Sequence, residues 1–193
     1  MSTTTKALLI LLFAVSYHAG KAQSLKSGLD LGENCPAFDP YHVSGPDKGT
    51  RTCPMCKYGQ QQGVMIWVNN NDWESFSVTA RRMELEISNA GIQKMRVFMI
   101  YMNPGQKPLG EAMKKLSEIS SELNLRYVAV ACIQSPTDAR SAKLFKINPA
   151  REIKTTVLVY RKRKVFEKFI NLDTTQLDEL MRSFRKTLVA SSL

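Results

Sequence analysis

Three short apolar runs alternate with stretches of helical period from residue 64 onward in this sequence, and a strand pair with a basic tip follows them. The first run, Val64-Met65-Ile66-Trp67-Val68, has no polar interruption and is bounded by Asn69-Asn70-Asn71-Asp72. An unbroken apolar run of that length between turn residues marks a strand covered on both faces. Runs of the same kind occupy 97–102 and 127–133, the latter containing Cys132. Between the first two, Trp73, Phe76, Ala80, Met83 and Ile87 recur at helical spacing, with Asp72 placed to cap a helix to about Ala90 and Gly91 placed to end it. A second helix is predicted over 109–123, with Ala112, Leu116, Ile119 and Leu123 on one face, and a shorter one from Pro136 to about Ile147.

Segments 155–160 and 165–170, joined by Arg161-Lys162-Arg163-Lys164, read as a hairpin, and 177–188 as a closing amphipathic helix. The predicted order is β-α-β-α-β-α-β-β-α. Right-handed crossovers then give an α/β fold: a three-layer sandwich with a mixed, mainly parallel sheet, helices on both faces and antiparallel pairing from the last hairpin. The preceding residues are rich in Gly, Pro, Asp and Lys without sustained periodicity, as expected of an N-terminal arm made of turns. The expected organisation is 1–22 as a leader, 23–62 as the arm and 63–193 as the sandwich.

The leader is read from Lys6, the apolar stretch 7–15 and the small residues Ala19, Gly20 and Ala22. That stretch falls short of the roughly 20 apolar residues that span a bilayer and matches a secretory signal peptide cleaved after Ala22. No other stretch is apolar enough to cross a membrane. The expected location is therefore periplasmic or secreted. A formal charge of +10 favours anionic partners in a salt-sensitive way without naming one.

Cys35, Cys53, Cys56 and Cys132 all lie beyond the leader, and an oxidising compartment favours their pairing. Four cysteines allow three connectivities. Cys53-Pro54-Met55-Cys56 is the informative pair: two intervening residues allow a small disulfide ring, and the proline restricts the backbone between the sulfurs. Lys48, Arg51 and Lys57 flank it, and nearby positive charge favours thiolate over thiol.

The element order from Gly63 onward, with a β-β-α unit over 154–188 and the Cys-Pro-Xaa-Cys motif, resembles the thioredoxin-like superfamily. Within it, the closest likeness is to the exported, redoxin-related branch in which an arm precedes the first core strand. The resemblance implies thiol-disulfide exchange or redox sensing, with Cys53 as nucleophile, Cys56 as resolving thiol, another exported redox protein as partner and no cofactor. Redox-active relatives carry CxxC just after the first core strand, where this chain has Asn69-Asn70-Asn71-Asp72-Trp73, and a cis-proline before the fourth strand, where it has Thr155. The motif here lies upstream of that strand. The Thr and Cys that peroxide-reducing relatives carry in the loop after the first strand are missing as well.

Two other readings of the arm remain open. The pair can be a permanent disulfide stapling the arm to a non-enzymatic binding or scaffold domain. Alternatively, Cys35, His42, Cys53 and Cys56 supply the ligand count of a tetrahedral zinc site if the arm brings them together. Cys132, inside an apolar strand, reads as a small buried hydrophobe unless Cys35 crosses over to it. The four basic residues at 161–164 read as a solvated hairpin tip, with no aromatic interleaving of the kind a nucleic-acid groove uses. Trp67, Trp73, Met65, Met99 and Met102 read as core. No phosphate-binding loop, dinucleotide fingerprint or hydrolytic serine context is present.

Overall fold

The computed structural model describes residues 25–89, 95–105 and 108–189; the leader 1–22 and the expected helix end at Ala90 and Gly91 lie outside them. In chain order the elements are β1 (Tyr41–His42), α1 (Pro54–Tyr58), β2 (Gln62–Val68), α2 (Trp73–Asn89), β3 (Met95–Tyr101), α3 (Leu109–Glu122), β4 (Val128–Cys132), β5 (Thr155–Arg161), β6 (Lys164–Ile170) and α4 (Thr174–Val189). They form one six-stranded sheet in the order β1-β4-β3-β2-β5-β6. β2, β3 and β4 run parallel, with Val64 opposite Val97 and Val97 opposite Val128. β5 adds antiparallel to β2, β6 adds antiparallel to β5, and β1 adds antiparallel to β4. This is the mixed sheet that the alternation of strand and helix predicts.

The unbroken apolar runs are explained by the two layers that cover the sheet. Val64, Ile66 and Val68 point to one face and meet Phe76, Ala80, Met83 and Ile87 of α2, Leu116 and Ile119 of α3, and Leu180 and Met181 of α4. Met65 and Trp67 point to the other face, where Phe38 of the arm, Met55 and Tyr58 of α1, and Phe145 cover them. Phe38 and Phe145 stack on Trp67 at ring-centroid distances of 5.3 and 4.9 Å. A fully buried phenylalanine contributes about 1.5–3 kcal/mol through removal of its surface from water. The arm is thus a layer of the core. Among the described residues helices do lie on both faces, with three long ones on one side and the five-residue α1 on the other.

The arm reaches both margins of the sheet. At the β6 margin, Cys35 N–H donates to the Arg163 carbonyl, and Gly32 and Glu33 exchange backbone bonds with Val165. At the opposite margin Tyr41 pairs with Cys132 and His42 with Ala131.

One predicted element is absent. The segment expected to be helical from Pro136 to Ile147 is a succession of turns. Its bonds from Lys143 N–H to Asp138 O and from Ile147 N–H to Ala142 O span five residues, and Lys146 has φ +55°, so no regular i to i−4 ladder forms. Burial of Ala142, Phe145 and Ile147 on the arm-side face holds the segment instead.

The β5–β6 hairpin turns through Lys162 and Arg163, both with positive φ, +49° and +66°. Two left-handed residues match the twist of a two-residue hairpin, a role usually filled by Asn-Gly. For residues with a Cβ each such conformation costs roughly 1–2 kcal/mol.

Candidate functional site

Cys53 has an extended backbone, φ −71° and ψ 113°, and caps α1: its Sγ accepts the Cys56 N–H at 3.0 Å. Pro54 at the first helical position supplies a preset φ and lacks an amide that would go unbonded there. One helical turn brings the cysteines to a Cα separation of 5.2 Å, within disulfide range, and Cys53 and Cys56 are bonded to each other. Cys53 is half-buried and Cys56 exposed, while Met55 between them is fully buried. The disulfide therefore stands at the protein surface on a helix whose inner side is anchored in the core.

The anchors are specific. Tyr58 packs against Phe98 at 6.0 Å and carries the Arg96 guanidinium 4.5 Å from its ring centroid. Arg96 is oriented by the Gln61 carbonyl oxygen, which accepts from its Nε at 3.1 Å. Gly59 ends the helix, donating its amide to Met55 O, and its backbone lies so close to Arg163 that a Cβ there would stand 2.8 Å from Arg163 Cγ. This glycine is required by close approach, since its φ of −62° suits any residue.

Lys57 does not stand free beside the sulfurs as its spacing suggests. Its Nζ donates to Asp47 Oδ1 at 2.6 Å. Burial raises the Asp47 carboxyl, but hydrogen bonds from Lys57 and Tyr58 and the Lys57 charge outweigh it, so the net shift is below the usual carboxylate range. Arg51 is exposed and reaches the Asp39 carbonyl. The polar contact made by Cys53 Sγ is thus with the Cys56 amide.

His42 is fully buried and its Nε2 lies 2.9 Å from the Thr52 carbonyl, tying the residue before Cys53 to β1. Cys35 is buried with a free thiol, pushed up to about 12 by burial. The zinc reading therefore does not assemble: two of its four ligands are consumed in the disulfide, and among the described residues no group of three or more His, Cys, Asp or Glu is placed to hold a metal. Cys132 is likewise buried and free, its thiol pushed up to about 12 by burial against a smaller opposing effect of Arg51. The arm does cross β4, but it places Tyr41 opposite Cys132, so Cys35 and Cys132 do not pair.

The position after the first core strand is occupied by structure. Asn69 is buried, and its amide nitrogen donates to the carbonyls of Pro149, Ala150 and Ile153 at 3.1–3.2 Å. Asp72 accepts from the Ser75 amide at 3.0 Å and from its hydroxyl at 2.7 Å, capping α2 as its position predicts. Those bonds hold its carboxyl below the usual range. Thr155 accepts the Leu172 amide at 2.8 Å. A cleft of about 580 Å³ runs between Asn70, Ser75, Lys154, Asn171 and Leu177.

Sequence spacing found the cysteine pair and missed its setting. The bonds of Asp47 with Lys57, His42 with Thr52, and Arg163 with Gly59 join separate turns, and no local pattern announces them. Among the described residues no helix is long and apolar enough to cross a membrane.

No family model matches the sequence, and no curated protein matches it. Solved structures do match. One described as a thiol:disulfide interchange protein, DsbE, from Chlorobium tepidum aligns with a TM-score of 0.61 at 14% identity, over 83% of this chain and 99% of that one. Peroxidoxin BcpB from Mycobacterium tuberculosis aligns at 0.58 and 14% identity, over 82% and 97%. A yeast mitochondrial 1-Cys peroxiredoxin aligns at 0.57 and 10% identity, over 85% and 78%. Strand order and these neighbours agree: the chain has a thioredoxin-like fold, with its CxxC disulfide placed before the first core strand.

Proposed function

We propose that this is an exported thiol-disulfide exchange protein, or a sensor of redox state by the same chemistry, working through Cys53 and Cys56. The observation that carries the reading is the disulfide at the mouth of α1, with Cys56 exposed and Cys53 Sγ accepting a backbone amide. A donor aimed at that sulfur favours the thiolate once the bond is reduced. The neighbour described as an interchange protein supports it, as do the leader-like residues before the arm.

In the reducing direction the Cys53 thiolate attacks one sulfur of a partner disulfide, forming a mixed disulfide and releasing the other partner sulfur as a thiolate. The Cys56 thiolate then attacks Cys53 Sγ, closing the Cys53–Cys56 bond and releasing the second partner thiolate. Two electrons pass from the dithiol to the partner, which is another exported protein. Lys57 and Asp47 hold α1 in place, and Met55 and Tyr58 anchor it, so that the sulfurs stay presented.

Cys56→Ser separates the steps. Mixed with glutathione disulfide after reduction, this variant should accumulate a glutathione adduct on Cys53, located by peptide mass mapping. Absence of an adduct, with the native fold retained, would leave the disulfide as a staple of the arm.

A further inference from the structure

The basic hairpin tip is joined to the disulfide helix. Arg163 donates its amide to the Gly59 carbonyl at 2.8 Å, and its own carbonyl accepts the Cys35 amide at 2.7 Å. Gly59 lies three residues beyond Cys56, about 5 Å of helical rise. The tip is therefore held against the C-terminal end of the disulfide helix by both the helix and the arm, with Cys53 capping the opposite end, six residues or about 9 Å of helical rise away.

Its charge is available. Arg161, Lys162 and Lys164 are exposed, and among the described residues none of them takes part in an ion pair. The nearby acids are occupied: Asp47 is bound to Lys57 and Glu33 to Lys146. Arg96, over the ring of Tyr58, adds to the same side. Lys162 and Arg163 occupy left-handed positions that Asn-Gly would fill with less strain, so turn stability does not explain their charges.

We propose that this tip recognises an acidic polypeptide whose disulfide is exchanged at Cys53 and Cys56, a proposal that rests on the exchange reading above. The shape favours a polypeptide over a membrane. Tyr160 and Val165, which flank the tip, are buried, so the tip itself carries no apolar group and only Leu31 of the adjoining arm is exposed beside it, whereas interfacial membrane elements pair basic residues with an extended apolar face. An acidic segment beside the partner's cysteines meets the tip while its disulfide meets the end of α1. Complementary charge of this kind acts mainly on encounter rate and partner choice.

The test uses the reduced full chain and two synthetic peptides of equal length, each with one disulfide, flanked in one by glutamates and in the other by glutamines. At low ionic strength the glutamate peptide should be reduced at least about tenfold faster, with the ratio falling toward one near 0.5 M salt. Lys162→Asn should lower the ratio by about twofold while sparing the glutamine peptide's rate and the melting temperature, because one charge goes and asparagine suits the left-handed position. Arg161→Gln with Lys164→Gln should act the same way without touching the Gly59 contact. Equal rates for both peptides in the unmodified chain would overturn the proposal and leave exchange intact. Failure to reduce either peptide would remove the exchange reading and this proposal together. Tip-dependent binding to phosphatidylserine vesicles with no preference between the peptides would also overturn it, in favour of a membrane surface.

Discussion

At the C-terminal end of β2, Asn69, Asn70 and Asp72 turn their side chains back on the chain: onto three carbonyls of the returning segment, onto Lys154 O, and onto the first turn of α2. Just before the N-terminal end of the same strand, on the other face, α1 keeps its apolar residues inward and leaves Cys56 exposed. The same sheet thus has one end closed by polar ties and one end presenting a disulfide. A fold's customary site can be given over to structure while a motif on an added layer takes a surface position. The arm makes this possible because it belongs to the core, so a helix within it is as firmly based as one after a strand.

The largest effect should come from exchanging the roles of the two ends. Cys53→Ser should abolish reduction of a disulfide substrate, whereas Asn71→Ala, at the customary position, should leave the rate within about twofold in a turnover assay. Loss in both would break the contrast. Next, alkylation should separate the thiols. In the reduced native protein at pH 8, Cys53 and Cys56 should label promptly with iodoacetamide. Cys35 and Cys132, with thiols pushed up to about 12, should label only on unfolding, by mass spectrometry against denaturant.

A smaller effect concerns stability. Asn69→Ala removes a buried donor from three carbonyls and should cost about 1–3 kcal/mol in urea denaturation without altering the exchange rate. The smallest is pH-dependent. Asp47 has a folded pKa below its unfolded value, so its contribution is present above the ordinary carboxylate range and is lost as pH falls through the folded value. Asp47→Asn should therefore melt below the unmodified protein at pH 7, and the gap should close below about pH 4.

The strands were legible because their runs are continuous, and continuity is what two-sided cover requires. Asp72 was legible as a cap because its bonds reach only to Ser75. The 136–147 segment misled because Ala142, Phe145 and Ile147 are buried as helical residues would be, yet five-residue turns satisfy that burial equally well. At the site, the cysteine pairing was readable from two-residue spacing. The neutralisation of Lys57 by Asp47 was not, nor was the docking of Arg163 on Gly59. Both depend on how separate turns come together, which periodicity does not encode.

The most direct measurement is the reduction potential of the Cys53–Cys56 pair, by equilibration of the full chain in glutathione buffers with thiol trapping and mass-spectrometric readout. An exchange site should fall between about −120 and −270 mV, with the reduced protein still folded. A value below about −300 mV, or a bond that yields only when the chain unfolds, would show a staple and contradict the proposed function.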